Sequence, residues 1–117
     1  MKLETLLEKI SEQPNNIEFT DVINTIDAEY TFTETAFTNG LQKNLAGENS
    51  GSCKLLSFAS LHKLSEKQAL SLFGDYYRKD VLENPEGNDH QNIRQFMQHG
   101  YKGLTFENHA LTPKQKV

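Results

Sequence analysis

The sequence predicts a mainly α-helical, compact single domain of about five helices with a minor two-stranded β ribbon, α+β only at its margin. Three observations predict it. Apolar residues recur at helical spacing in successive separated runs. Start and stop signals bracket those runs. Period-two alternation is confined to two short stretches around Tyr30–Thr35 and Tyr101–Phe106. With 117 residues and no linker-like or low-complexity tract, residues 1–117 read as one domain.

The first helix occupies residues 1–12. Leu3, Leu6, Leu7 and Ile10 form its apolar face, and Pro14 with Asn15-Asn16 ends it. Thr20-Asp21 reads as the start of a second helix, a hydroxyl cap followed by an acid, with Val22, Ile23, Ile26 and Tyr30 inside. Tyr30 to Thr35 alternates aromatic with polar residues and suits an extended segment. Asn39-Gly40 is a turn, and Leu41–Ser50 reads as loop.

Ser52 is the expected cap of a third helix running to about Lys63, with Leu55, Phe58, Ala59 and His62 on one face. Ser65 with Gln68 makes a capping box for a fourth helix, whose stripe runs Ala69, Leu70, Phe73, Tyr76, Tyr77, Val81. Asn84-Pro85-Glu86-Gly87 stops it. Asn88-Asp89 caps a fifth helix, with Gln91 at the matching box position and Ile93, Phe96 and Met97 facing in. Gly100 is placed to end it. The extended stretch Tyr101–Phe106 pairs with the threonine-rich segment, because an isolated strand is not stable. Residues 112–117 read as a flexible tail.

Charge and composition exclude some functions. The net charge is −4, and residues 1–50 carry nine acids against three lysines, so general nucleic-acid binding is disfavoured. One cysteine forms no internal disulfide. The N-terminus has no apolar run or cleavage site of a signal peptide, and no stretch approaches a membrane span. A cytoplasmic protein is expected, with secretion lacking a cleaved signal as the alternative.

Two constellations carry chemistry. With Ser52 as cap, Cys53 is the first helical residue, and the helix start plus Lys54 would lower its thiol pKa. A nucleophile there needs a base, which His90 or His99 would bring through the fold. The competing reading is a small structural cysteine. The second constellation is Asp75, Tyr77, Arg78, Asp89, His90, Asn92 and Arg94, which holds both arginines of the chain. Two guanidinium forks facing one cleft suit a carboxylate or phosphate. The competing reading pairs the forks internally to Asp75, Asp80 or Asp89, pinning the 84–88 loop. The histidines lack ligand-like spacing, so no metal site is expected, and no phosphate-binding glycine motif points to a cofactor.

The segments Asn44–Lys54, Phe73–Arg78, Asn84–Arg94, Phe96–Gly100 and Leu104–Phe106 resemble the HopJ type III effector family, in order and over roughly Phe37 to Leu111. Tyr101 stands where tryptophan is expected in many members. The resemblance implies a small helical bacterial protein of the kind that plant pathogens deliver into host cells. It carries over no catalytic residue and no cofactor. Residues and resemblance together give an expected protein that binds a protein partner or a small anionic ligand around Arg78, His90 and Arg94. The alternative is a small enzyme built on Cys53.

Overall fold

The chain folds around one helix. In the computed structural model, which describes residues 1–114, α3 (Ser50–Leu61) buries Cys53, Leu55, Leu56, Ser57, Phe58 and Ala59. Five consecutive buried residues span more than one helical face, so this helix is surrounded rather than laid on a surface. The expected face of Leu55, Phe58, Ala59 and His62 is only part of what it buries.

Helices α2 (Phe19–Glu29) and α4 (Glu66–Ser71) pack against it, α1 (Leu3–Glu12) packs on both of these, and α5 (Gln91–His99) packs on α4. Leu6 and Ile10 of α1 and Val22 and Ile26 of α2 are buried, as their spacing predicts. A short 3-10 turn, Pro14–Asn16, joins these two helices. The second helix starts one residue before the expected cap. Phe19 is its first residue, and no side chain caps it. Thr20 therefore lies inside the first turn.

The fourth helical stripe is broken in two. The capping box forms as predicted: the Gln68 amide donates to the Ser65 hydroxyl at 3.0 Å, and the Ser65 amide donates to Gln68 Oε1 at 2.9 Å. Helix α4 then stops at Ser71, and the chain passes Gly74 at φ +60° before resuming as a π-helix over Tyr76–Val81. Gly74 is where the chain runs against the start of α2. A Cβ there would lie 2.9 Å from the Phe19 nitrogen and 3.3 Å from the Ile17 carbonyl oxygen. The wider turn is marked by the Leu82 amide, which donates to the Tyr77 carbonyl five residues back at 3.0 Å.

The β component is larger than a single ribbon. Strands β1 (Tyr30–Phe32) and β5 (Leu111–Pro113) form one antiparallel pair, Phe32 opposite Leu111. Strands β2 (Phe37–Asn39), β3 (Gln42–Asn44) and β4 (Leu104–Phe106) form a sheet in the order β3-β2-β4. The 101–106 stretch pairs with the far end of the threonine-rich segment, Thr38 opposite Thr105, while that segment's Tyr30–Phe32 start pairs with β5 instead. The Asn39-Gly40 turn leads straight into β3, which lies inside the expected loop 41–50. The expected tail begins as strand, Thr112 opposite Thr31, because β1 has no other partner. Residues 115–117 of that tail lie outside the described residues.

Two helix starts also differ from expectation. Asn49, in the left-handed conformation at φ 51°, precedes α3, so Cys53 is its fourth residue and not its first. His90, at φ 50°, precedes α5, and Gln91 donates to the Asn88 carbonyl at 2.8 Å instead of closing a capping box. Ile93 and Phe96 face the core while Met97 is exposed. Asn92 and Gln95 take the remaining inward positions. Gly100, at φ +60°, ends α5 as predicted.

Candidate functional site

A cavity of about 590 Å³ opens where the first turns of α3 and α5 meet. Asn49, Gly51 and Ser52 come from α3, and His90, Gln91, Asn92 and Ile93 from α5. Phe19 of α2, Gln42 of β3, Phe73 and Tyr76 complete the lining. No side chain caps either helix start. The first intrahelical backbone bonds are Cys53 to Asn49 at 3.0 Å and Ile93 to His90 at 3.0 Å, so the amides before them have no partner within their helices. Such amides, together with the aligned peptide dipoles, favour negative charge nearby.

Beneath the cavity lies a buried asparagine network. Asn92 Nδ2 donates to Asn44 Oδ1 at 3.0 Å, and Asn44 Nδ2 donates to Asn92 Oδ1 at 3.2 Å. Asn39 Nδ2 donates to the Asn92 carbonyl at 2.7 Å. Asn49 Nδ2 reaches Asn44 Oδ1 at 2.7 Å and ties the residue before α3 to the same set. Strands β2 and β3 thereby lock the two helix starts in register, because each amide would lose a partner if either moved.

His90 is held from the other side. Its Nε2 lies 3.0 Å from Asp80 Oδ2 on the π-helix, and its ring sits 5.2 Å from that of Tyr76. Tyr76 in turn meets Phe19 edge-on at 5.1 Å. The continuous run of rings exists because Gly74 lets the chain cross α2 closely and because Gly51 leaves room for Phe19. A Cβ on Gly51 would come within 3.1 Å of Phe19 Cζ.

The arginines do not share this cavity, which corrects the expected cleft. Arg78 turns to the α1–α2 connection, donating to the Ile17 carbonyl at 2.7 Å and to Asp75 at 3.3 Å. Arg94 clamps the 84–89 loop, donating to Asp89 Oδ1 at 2.6 Å, the Asp89 carbonyl at 2.6 Å and the Asn84 carbonyl at 3.0 Å. The hydrogen bond from Arg94 holds the exposed Asp89 carboxyl below its usual pKa. Internal pairing, the competing expectation, describes both forks. Carbonyl oxygens rather than carboxylates take most of their donors.

Of the remaining candidates, only His90 and Asn92 line the cavity. Tyr77 packs against the core, and Asp75 is exposed beside Arg78 and Lys79. His99 is exposed and lies over the β2–β3 turn, where a Cβ on Gly40 would meet its ring. Cys53 is 1% exposed, and burial pushes its thiol pKa up, with the Ser57 hydroxyl opposing in part. This is the reverse of the activation expected from a first-turn cysteine. His62 is a hydrogen-bonded histidine at the core edge, with Nε2 2.7 Å from the Tyr30 hydroxyl.

Sequence reasoning missed Phe19, Gln42 and the asparagines at 39 and 44. A buried asparagine has the same letter as a turn asparagine, and nothing local separates them. Asn49, Gly51 and Ser52 lie just before Cys53 in the sequence, and that stretch was read through the cysteine. Among the described residues no group of acids, histidines and cysteine is arranged to hold a metal ion.

Comparison with known proteins places these elements in a wider set. The family model for the HopJ type III effector protein matches residues 3–111. A crystal structure described as that of the unknown function protein VPA0580 superposes with a TM-score of 0.96 at 47% sequence identity, covering 97% of this chain and 95% of that one. No curated protein matches the chain.

Proposed function

Because this chain belongs to the HopJ type III effector protein family, we propose that it acts as a binding protein for a small anionic ligand, taken up in the cavity between the starts of α3 and α5. One observation carries the reading: two uncapped helix starts and His90 open on one cavity of a size suited to a small molecule. The site differs from the face first expected around Arg78, His90 and Arg94. His90 remains, while the two guanidinium groups serve the scaffold. A thiol nucleophile has no place in this reading, since Cys53 is buried and does not line the cavity. The proposed place of action is a cytoplasm, that of the bacterium or, following the family description, that of a host cell reached by type III delivery.

The test is calorimetric titration of the folded chain with inorganic phosphate and with short carboxylates, repeated on Ser52→Asp. A carboxylate at that position is aimed at the same amides. Saturable binding that Ser52→Asp abolishes supports the reading. Binding unchanged by Ser52→Asp, or no anion binding at all, refutes it.

A further inference from the structure

We propose that the ligand of this cavity is an aromatic acid, a flat ring bearing a single anionic group. The inference rests on the anion-binding reading above and names the ligand's body.

Size is the first ground. A bare inorganic anion fills a small part of about 590 Å³, so a ligand matched to the cavity brings a body as well as a charge. The second ground is the wall that this body would meet. Phe19, Tyr76 and His90 make successive ring contacts at 5.1 Å and 5.2 Å, and Phe73 and Ile93 add apolar surface. Tyr76 is 45% exposed although it sits in this run, so part of the residue is left uncovered at the cavity. Ring pairs prefer offset or edge-on contact, which a ligand ring would make with that uncovered part.

Charge supplies the third ground. Among the described residues no lysine or arginine lines the cavity. A polyphosphate or a dianion would lack a countercharge there, whereas one carboxylate is within what the backbone amides of Gly51, Ser52 and Asn92 and the Ser52 hydroxyl can satisfy. Gly51 makes the two halves contiguous, because its missing side chain lets the Phe19 ring lie against the α3 start. A ring resting on Phe19 and Tyr76 would therefore hold its acid group at the polar lining without a spacer.

Four probes separate this inference from the reading beneath it. Benzoate, cyclohexanecarboxylate, benzyl alcohol and inorganic phosphate are titrated into the full chain and followed by backbone amide shifts of Gly51 and Asn92. Benzoate is expected to bind about fivefold tighter than cyclohexanecarboxylate, the gain of a ring pair beyond burial, and benzyl alcohol more weakly than either. Tyr76→Leu keeps the bulk of an exposed side chain and is expected to reduce that preference to near unity, with the circular dichroism spectrum unchanged. Equal binding of benzoate and cyclohexanecarboxylate overturns the aromatic inference alone, as does phosphate binding without benzoate. Silence from all four probes overturns the inference and the anion-binding reading together.

Discussion

Nε2 of His90 lies 3.0 Å from Oδ2 of Asp80, which joins the residue before α5 to the π-helix that carries Tyr76. This pair fixes the imidazole against the cavity wall and leaves Nδ1 as its other polar atom. Both side chains are partly exposed, so the pair contributes little to stability, on the order of 0–1 kcal/mol. Asp80→Asn is expected to lower affinity for an anionic probe several-fold while leaving the urea midpoint nearly unchanged. A matching loss of stability would assign the pair to the scaffold instead.

Asn92→Ala removes both a donor and an acceptor from the buried network. It takes one partner from each polar atom of Asn44, whose Oδ1 keeps Asn49 and whose Nδ2 keeps the Phe37 carbonyl. The expected cost is about 1 kcal/mol, the net worth of lost buried hydrogen bonds. Equilibrium urea unfolding checks it, and a change below about 0.5 kcal/mol, the level of an ordinary surface substitution, would contradict the network's role.

Gly74→Ala meets two penalties at once. The backbone sits at φ +60°, and the new Cβ would press on the Phe19 nitrogen at 2.9 Å. A loss of more than about 1 kcal/mol is expected from the left-handed conformation alone. Phe19 would shift as well, so probe affinity is expected to fall with stability. Retained affinity in a destabilised variant would show that Phe19 does not shape the cavity.

Burial lowers the His62 pKa below its usual value of 6.5. The folded state then binds fewer protons than the unfolded state as pH falls below about 6.5. Stability is therefore fully present above that pH and declines below it, until the folded pKa is passed. His62→Gln is expected to be less stable at neutral pH and to show a shallower decline between pH 7 and 5, read from urea midpoints. An equally steep decline would place the titration elsewhere. At the alkaline end the sign reverses for Tyr30 and Tyr101. Burial raises both pKa values, so stability is lost as pH rises beyond about 10.

Cys53 is expected to resist thiol reagents in the native protein and to react fully in denaturant, since burial both covers the sulfur and disfavours the thiolate. Cys53→Ala is expected to bind an anionic probe as the parent does. Fast native labelling, or loss of probe binding without unfolding, would restore the cysteine to the site.

Much of the scaffold was legible because its signals are local. The α1 stripe, the Ser65–Gln68 capping box, the Asn39-Gly40 turn and the Gly100 stop each rest on residues within a few positions of one another. The site was half legible. His90 and Asn92 stood among its candidates, yet they were grouped with arginines that turn away from them. The break at Gly74 was hidden, since the apolar stripe from Ala69 to Val81 continues across it and only contact with α2 demands a residue without a side chain.

By itself the sequence determined most of the helical runs, several of the turns and the family, because periodicity, capping and fixed-spacing segments are written along the chain. The tertiary structure decided which elements meet. It joined Asn49–Ser52 to His90–Asn92 through the buried asparagines, sent Arg78 and Arg94 to backbone carbonyls, and enclosed Cys53. The physical reason is that a donor's partner and a side chain's burial depend on what distant segments bring within a few ångströms. A guanidinium finds a carbonyl or a ligand according to packing, and no local pattern records the choice.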